Sequence, residues 1–226
     1  MKKHVLSIVL LGVASACANY VFAAEEQGDV SVIDQIKKES SGVGRFRGGL
    51  YGSIGYADSM GSDSINTLGG ISFEAGAYTM FTPIKGYAEV EVGAGGVYII
   101  PSDPKGAANY DYGLTSARVY GGPVIPLNSG KNAIGFGVYK DFSQKIKVDK
   151  TVKDKIAASK GKVPDITKDM LENGLGVYVE WQWLSSQPNS KSLVYTRLNY
   201  GAYDRTPTGG KSVSENYGVL SIGFKF

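Results

Sequence analysis

From residue 45 onward, apolar and polar side chains alternate with a period of two, most cleanly at the end of the chain. Over 217–226, Leu220, Ile222, Phe224 and Phe226 hold every second position, with Tyr217, Val219, Ser221, Gly223 and Lys225 between them. Side chains of a strand point alternately to two faces, so this segment has one continuous apolar face and one small or polar face. Seven more segments show the same pattern. Strand one, 45–57, sets Phe46, Leu50, Ile54 and Tyr56 against Arg45, Arg47, Tyr51 and Ser53. Strand two, 65–81, sets Ile71, Phe73, Ala75, Ala77 and Phe81 against Glu74. In strand three, 87–100, Ala88, Val90, Val92, Ala94, Tyr98 and Ile100 oppose Glu89 and Glu91. Strand four, 110–124, is less regular, with Ala117 and Val119 opposite Ser116, Arg118 and Tyr120. Strand five, 132–142, places Ile134, Phe136 and Val138 against Gly135, Gly137 and Tyr139. Strand six, 174–184, has Leu175, Val177, Val179, Trp181 and Trp183 opposite Tyr178, Glu180 and Gln182. Strand seven, 192–203, has Val194, Leu198, Tyr200 and Ala202 opposite Tyr195, Arg197 and Asn199.

Eight strands of about 10–15 residues are long enough to cross a bilayer when tilted. The connections at 82–86, 126–131 and 185–191 are short, those at 58–64 and 101–109 middling, and those at 143–173 and 204–216 long. Short turns on one side and longer loops on the other are the asymmetry of transmembrane barrels. The expected fold is therefore all-β: an eight-stranded antiparallel up-and-down transmembrane β-barrel over 45–226, with both ends of the barrel on one side. In strand pattern and size this segment resembles the small Gram-negative outer-membrane barrels of the OmpA-like, OmpX-like and Opa-like families. Its closing Leu220, Ile222, Phe224 and Phe226 resemble the terminal assembly signal of those families, which implies recognition by the outer-membrane assembly machinery. The resemblance also implies a monomer held in outer-membrane lipid and lipopolysaccharide. Aromatics gather near strand ends (Phe46, Tyr56, Phe81, Tyr98, Phe142, Trp181, Trp183, Tyr200 and Phe226), as interfacial girdles require.

Composition sharpens this picture. Gly is abundant at 31 residues and Tyr at 15, while hydrophobic residues reach only 42%. The amino-terminus reads as a cleavable signal peptide, 1–23, with basic Lys2, Lys3 and His4, an apolar core over 5–16, and small residues before a cleavage after Ala23. Cys17 also ends a lipoprotein-like Ala14-Ser15-Ala16-Cys17, an alternative site that lacks the preferred large aliphatic residue. Residues 24–44 form a polar lead-in, flexible or with a short helix beginning at Asp29. Signal cleavage removes the single His and the single Cys, which excludes Ser-His-Asp and Cys-His catalysis and imidazole or thiolate metal sites from the mature chain. Without Lys2 and Lys3, 22 basic residues face 21 acidic ones, so no global field draws nucleic acid.

The faces opposite the apolar ones carry Arg45, Arg47, Glu74, Glu89, Glu91, Arg118, Glu180 and Arg197, four of each sign. Inside an eight-stranded barrel, whose interior side chains just fill it, such charges are expected to pair in a lumen network. Glu89 and Glu91 share a face, and a carboxylate pair can serve acid–base chemistry, but a structural ladder with Arg118 and Arg197 is the preferred reading. Barrel enzymes such as lipid A palmitoyltransferases, lipid A deacylases and omptin-type proteases use an essential His, which the mature chain lacks. No catalytic residue, cofactor or metal is therefore expected. The long segment 143–173 holds a basic patch of Lys145, Lys147, Lys150, Lys153, Lys155, Lys160, Lys162 and Lys168. Val148, Val152 and Ile156 recur at helical spacing within it, and 164–172 reads as a second short helix. The expected function is non-enzymatic: envelope integrity or surface contacts through the loops, with lipopolysaccharide phosphates or a polyanionic host ligand as partners. A small passive channel is the alternative, and a barrel-embedded lipid-modifying enzyme a distant one.

Overall fold

The computed structural model describes residues 45–60, 67–84, 88–101, 111–127, 132–161, 165–184 and 193–226. The expected signal segment at 1–23, the lead-in at 24–44, Lys162 and the side chains of Arg45 and Arg47 lie outside the described residues. Eight strands appear: β1 (Arg45–Ser59), β2 (Thr67–Ile84), β3 (Ala88–Pro101), β4 (Asp111–Pro126), β5 (Asn132–Lys147), β6 (Met170–Leu184), β7 (Leu193–Thr206) and β8 (Val213–Lys225). Each runs antiparallel to the next. β8 then returns to β1 through a ladder from Tyr51↔Lys225 to Ser59↔Tyr217, so the barrel is closed. Closure pairs edges that an open sheet would leave exposed. We call the end carrying Arg45 and Lys225 the base, and the opposite end the mouth.

The period of two sets the two faces. Leu50, Ile54, Leu220, Ile222 and Phe224 point outward and are at least half exposed, while Tyr51, Tyr195, Arg197 and Lys225 point inward and are 2% exposed or less. Outward aromatics gather at two levels. Phe46, Trp181, Trp183, Phe224 and Phe226 lie toward the base, with Phe81 stacked against Phe46 at 4.8 Å between ring centroids. Tyr56, Tyr98, Phe142 and Tyr200 lie toward the mouth.

Near the mouth the strands run further than alternation predicts. β5 continues through Lys147 and β6 starts at Met170, so 143–173 is not one irregular loop, and Lys145 and Lys147 belong to a strand. β7 reaches Thr206 and β8 starts at Val213, which shortens the connection expected over 204–216. Between β5 and β6 lies α1 (Lys150–Ala158), where Asp149 caps the first turn by accepting from the Thr151 amide at 2.7 Å. Val152 and Ile156, one turn apart, bury the inner side of α1. The second expected helix is reduced to one 3-10 turn, Ile166–Lys168. Strand pairing overrides it, because Met170, Leu171 and Glu172 are already matched to Thr206, Arg205 and Asp204.

Two backbone irregularities shape the mouth. At Gly70, φ is +147°, and a Cβ there would lie 1.8 Å from the Ile100 carbonyl oxygen, so only glycine fits. Just before this bend, Thr67 and Leu68 pair in parallel with Asp111 and Tyr112 of β4. At Ser143, φ is +52°, and β5 gains one residue against β4, passing from Ala117↔Phe142 to Thr115↔Lys145. That β-bulge reverses which residues of β5 face out.

Candidate functional site

The charged residues of the strands meet inside the barrel. Arg197 on β7 reaches Glu180 on β6 at 2.6 Å, Glu74 on β2 at 3.5 Å and Glu91 on β3 at 3.9 Å. Lys225 on β8 bonds Glu91 at 2.7 Å and Glu180 at 2.5 Å. Arg118 on β4 reaches Glu74 at 3.2 Å and grips Asp141 on β5. Arg118, Arg197 and Lys225 thus face Glu74, Glu91, Asp141 and Glu180, all buried. Burying charges costs several kcal/mol per ion, and multiple short contacts to each group offset that cost.

Tyrosine rings fill the space between these charges. The Arg197 guanidinium lies 4.3 Å from the Tyr120 ring centroid and 5.0 Å from that of Tyr178. Tyr51, Tyr120 and Tyr178 pack edge to face at 5.6 Å. Arg118 lies 4.0 Å over Tyr139. Tyr120 approaches so closely that a Cβ on Gly93 would sit 2.3 Å from its ring, so Gly93 leaves the room the ring takes.

Nearer the mouth lies a second polar cluster. Arg205 bonds Glu215 at 2.6 Å and Asp169 at 3.2 Å, and Tyr203 donates to Glu215 at 2.8 Å. Tyr112 bonds both Tyr203 and Glu215. Val152, Ile156 and Ile166 join Leu68, Tyr112, Leu114, Ile146 and Tyr203 in the buried core, so α1 and the 3-10 turn form a cap continuous with the barrel interior.

Of the residues expected in a lumen network, Glu74, Glu91, Arg118, Glu180 and Arg197 come together. Glu89 is half-buried nearer the base, on the same inward face as Glu91, and accepts from Thr82 at 3.2 Å. Of the two carboxylates, Glu91 is the one that contacts Arg197 and Lys225. Asp141 and Lys225 complete the network, and their inward parity beside Tyr139 and Tyr217 is the sequence signal for both. The charge tally shifts accordingly: of the deep cluster's described members, four are acids and three are cations. Leu220, Ile222, Phe224 and Phe226 all sit on the outer surface.

The basic patch divides into two groups. Lys150, Lys153, Lys155, Lys160 and Lys168 are exposed on the cap, Lys168 with Asp165 at 3.6 Å. Lys145 and Lys147 are exposed on the outer face of β5. Amide and hydroxyl donors from Thr151 and Thr167 hold the carboxyls of Asp149 and Asp165 below the usual carboxylate range.

No protein-family model and no curated protein matches the chain. Among solved structures it is similar to Neisserial surface protein A, at 14% identity and a TM-score of 0.45 over 80% of this chain and 97% of that one. It is also similar to the outer membrane protein OprG from Pseudomonas aeruginosa, at 13% identity and a TM-score of 0.40 over 81% and 96%. A third is Ail, the attachment invasion locus protein of Yersinia pestis, in complex with the heparin analogue sucrose octasulfate. That match has 14% identity and a TM-score of 0.37 over 80% of this chain and 99% of that one. The likeness is one of barrel architecture.

Proposed function

We propose that the chain is a non-enzymatic outer-membrane barrel, sealed through its centre, that works through contacts made at its capped mouth. A closed barrel with a continuous apolar outer face and aromatics at two levels suits a bilayer far better than water. The lumen charges are spent on one another, which leaves the exterior of the mouth as the surface for partners.

One observation carries the binding reading. Lys150, Lys153 and Lys155 are exposed on a short helix whose other side is pinned by Val152 and Ile156, and Lys160 is exposed in the turn just past its end. A held helix presents its ammonium groups without the full ordering cost that a loose loop would incur on binding. Sulfated or phosphorylated polymers are the ligand class that matches such a surface. The test is heparin binding by the refolded full chain, compared with Lys153→Glu/Lys155→Glu/Lys160→Glu. A large, salt-sensitive loss is expected; undiminished binding by the triple variant would remove the cap from the account.

A further inference from the structure

Toward the mouth, the outer face of β5 reads Phe136, Val138, Lys140, Phe142 and then, past the bulge at Ser143, Lys145 and Lys147. Strict alternation would put Lys145 and Lys147 in the lumen and Ile146 outside. The bulge does the reverse: Ile146 is 7% exposed and both lysines stand outside, above the mouth-side aromatic level marked by Phe142. No carboxylate among the described residues lies within ion-pairing distance of Lys140, Lys145 or Lys147. Two residues apart on one strand face, Lys145 and Lys147 are about 7 Å apart along the chain, a spacing one phosphate can bridge.

The wall next to them is unusually bare. Lys145 is matched across the ladder to Thr115 and Phe142 to Ala117. Beyond Thr115 a shallow depression of about 650 Å³ crosses β1 to β4, lined by Gly52, Phe73, Ala75, Gly96, Tyr98 and Thr115. A Cβ on Gly96 would meet nothing within 4 Å. An apolar chain can lie against such a floor while its head group stays beside the lysines.

We propose that this face seats one phosphorylated glycolipid of the outer leaflet, its phosphate held by Lys145 and Lys147 and an acyl chain along the depression. The proposal rests on the barrel spanning the outer membrane with its mouth outward. Charge selects the occupant. A second copy packed face to face would bring the same lysines together, whereas an anionic lipid neutralises them in an interface where each lysine contributes to anion attraction.

The test uses the full chain refolded in micelles and native mass spectrometry of retained lipid. The probes are bisphosphorylated lipid A, the same lipid with its phosphates removed, and phosphatidylglycerol. The chain should retain bisphosphorylated lipid A, and retention should fall about tenfold in Lys145→Gln/Lys147→Gln and with the dephosphorylated lipid. Gly96→Leu, which fills the floor, should also lower it, while Lys153→Gln/Lys155→Gln on the cap should not. Equal retention by the Lys145→Gln/Lys147→Gln variant overturns the site, as does phosphatidylglycerol held as strongly as lipid A, or a lipid-free dimer. Failure of the membrane-spanning reading shows separately, as a chain that neither inserts into vesicles nor changes gel mobility on boiling.

Discussion

Arg118 holds Asp141 with two parallel hydrogen bonds, Nε to Oδ1 at 2.7 Å and Nη2 to Oδ2 at 2.9 Å. The Tyr217 hydroxyl donates to the same Oδ2 at 2.8 Å, so the pair joins β4, β5 and β8 across the lumen. Removing Arg118 leaves Asp141 buried without its counter-charge, whereas Glu74 keeps Arg197. Arg118→Leu should therefore cost about 3–5 kcal/mol in urea unfolding from lipid vesicles. Arg118→Leu/Asp141→Leu should recover more than half of that loss, and a double variant as unstable as the single one would mean that the pair is not what is lost.

The packed lumen predicts a barrier to ions. Arg197 and its surrounding rings of Tyr51, Tyr120, Tyr178 and Tyr195 occupy the cross-section. Planar-bilayer recordings of the purified chain should show no discrete, reproducible openings. Regular steps at ordinary salt would favour the alternative, a small passive channel.

Gly93 and Gly96 lie three residues apart on β3 but on opposite faces. Gly93 faces a ring held on several sides, whereas Gly96 faces open space. Gly93→Ala should destabilise by about 1–3 kcal/mol through overpacking, and Gly96→Ala should be neutral or slightly stabilising. Matching effects at the two sites in parallel denaturation series would contradict the assigned faces.

The cap depends on its acid end as well as its apolar side. Asp149 and Asp165 have lowered folded pKa values, so their contribution is present above the ordinary carboxylate range and lost as pH falls through the folded value. Amide exchange protection at Thr151 and Thr167 should drop below about pH 4 while the strand amides stay protected. Asp149→Ala should give the same fraying of α1 at neutral pH.

Val152 is fully buried and Ile156 nearly so. Val152→Asp/Ile156→Asp should lift and unwind α1, so that trypsin cuts the backbone after Lys153 and Lys155, with boiled-versus-unboiled mobility unchanged. A barrel lost along with the cap would show that the two do not separate.

Alternation alone reveals the strand count, the facing of nearly every strand residue and five members of the deep network. It reveals less where strands rise past the apolar belt, because both faces there are polar. That is why Arg205 and Glu215 sit in a segment that reads as a loop, although they anchor the mouth. Lys145 and Lys147 read as loop lysines for a different reason. A single added residue at Ser143 changes which face they take, and serine there carries no signature of a bulge. Asp141 and Lys225 were legible by parity; what hid them was their place beside turn-like or terminal residues. The long-range choice of partners, such as Arg197 reaching three strands, arises only on closure.

Because Val152, Ile156 and Ile166 extend the interior of the barrel beyond its strands, α1 and the 3-10 turn are folded parts of the barrel rather than loose loop. Any partner that binds there would meet a conformational epitope. Short peptides copied from 150–158 would imitate it poorly, and variation there is constrained by packing as well as by exposure.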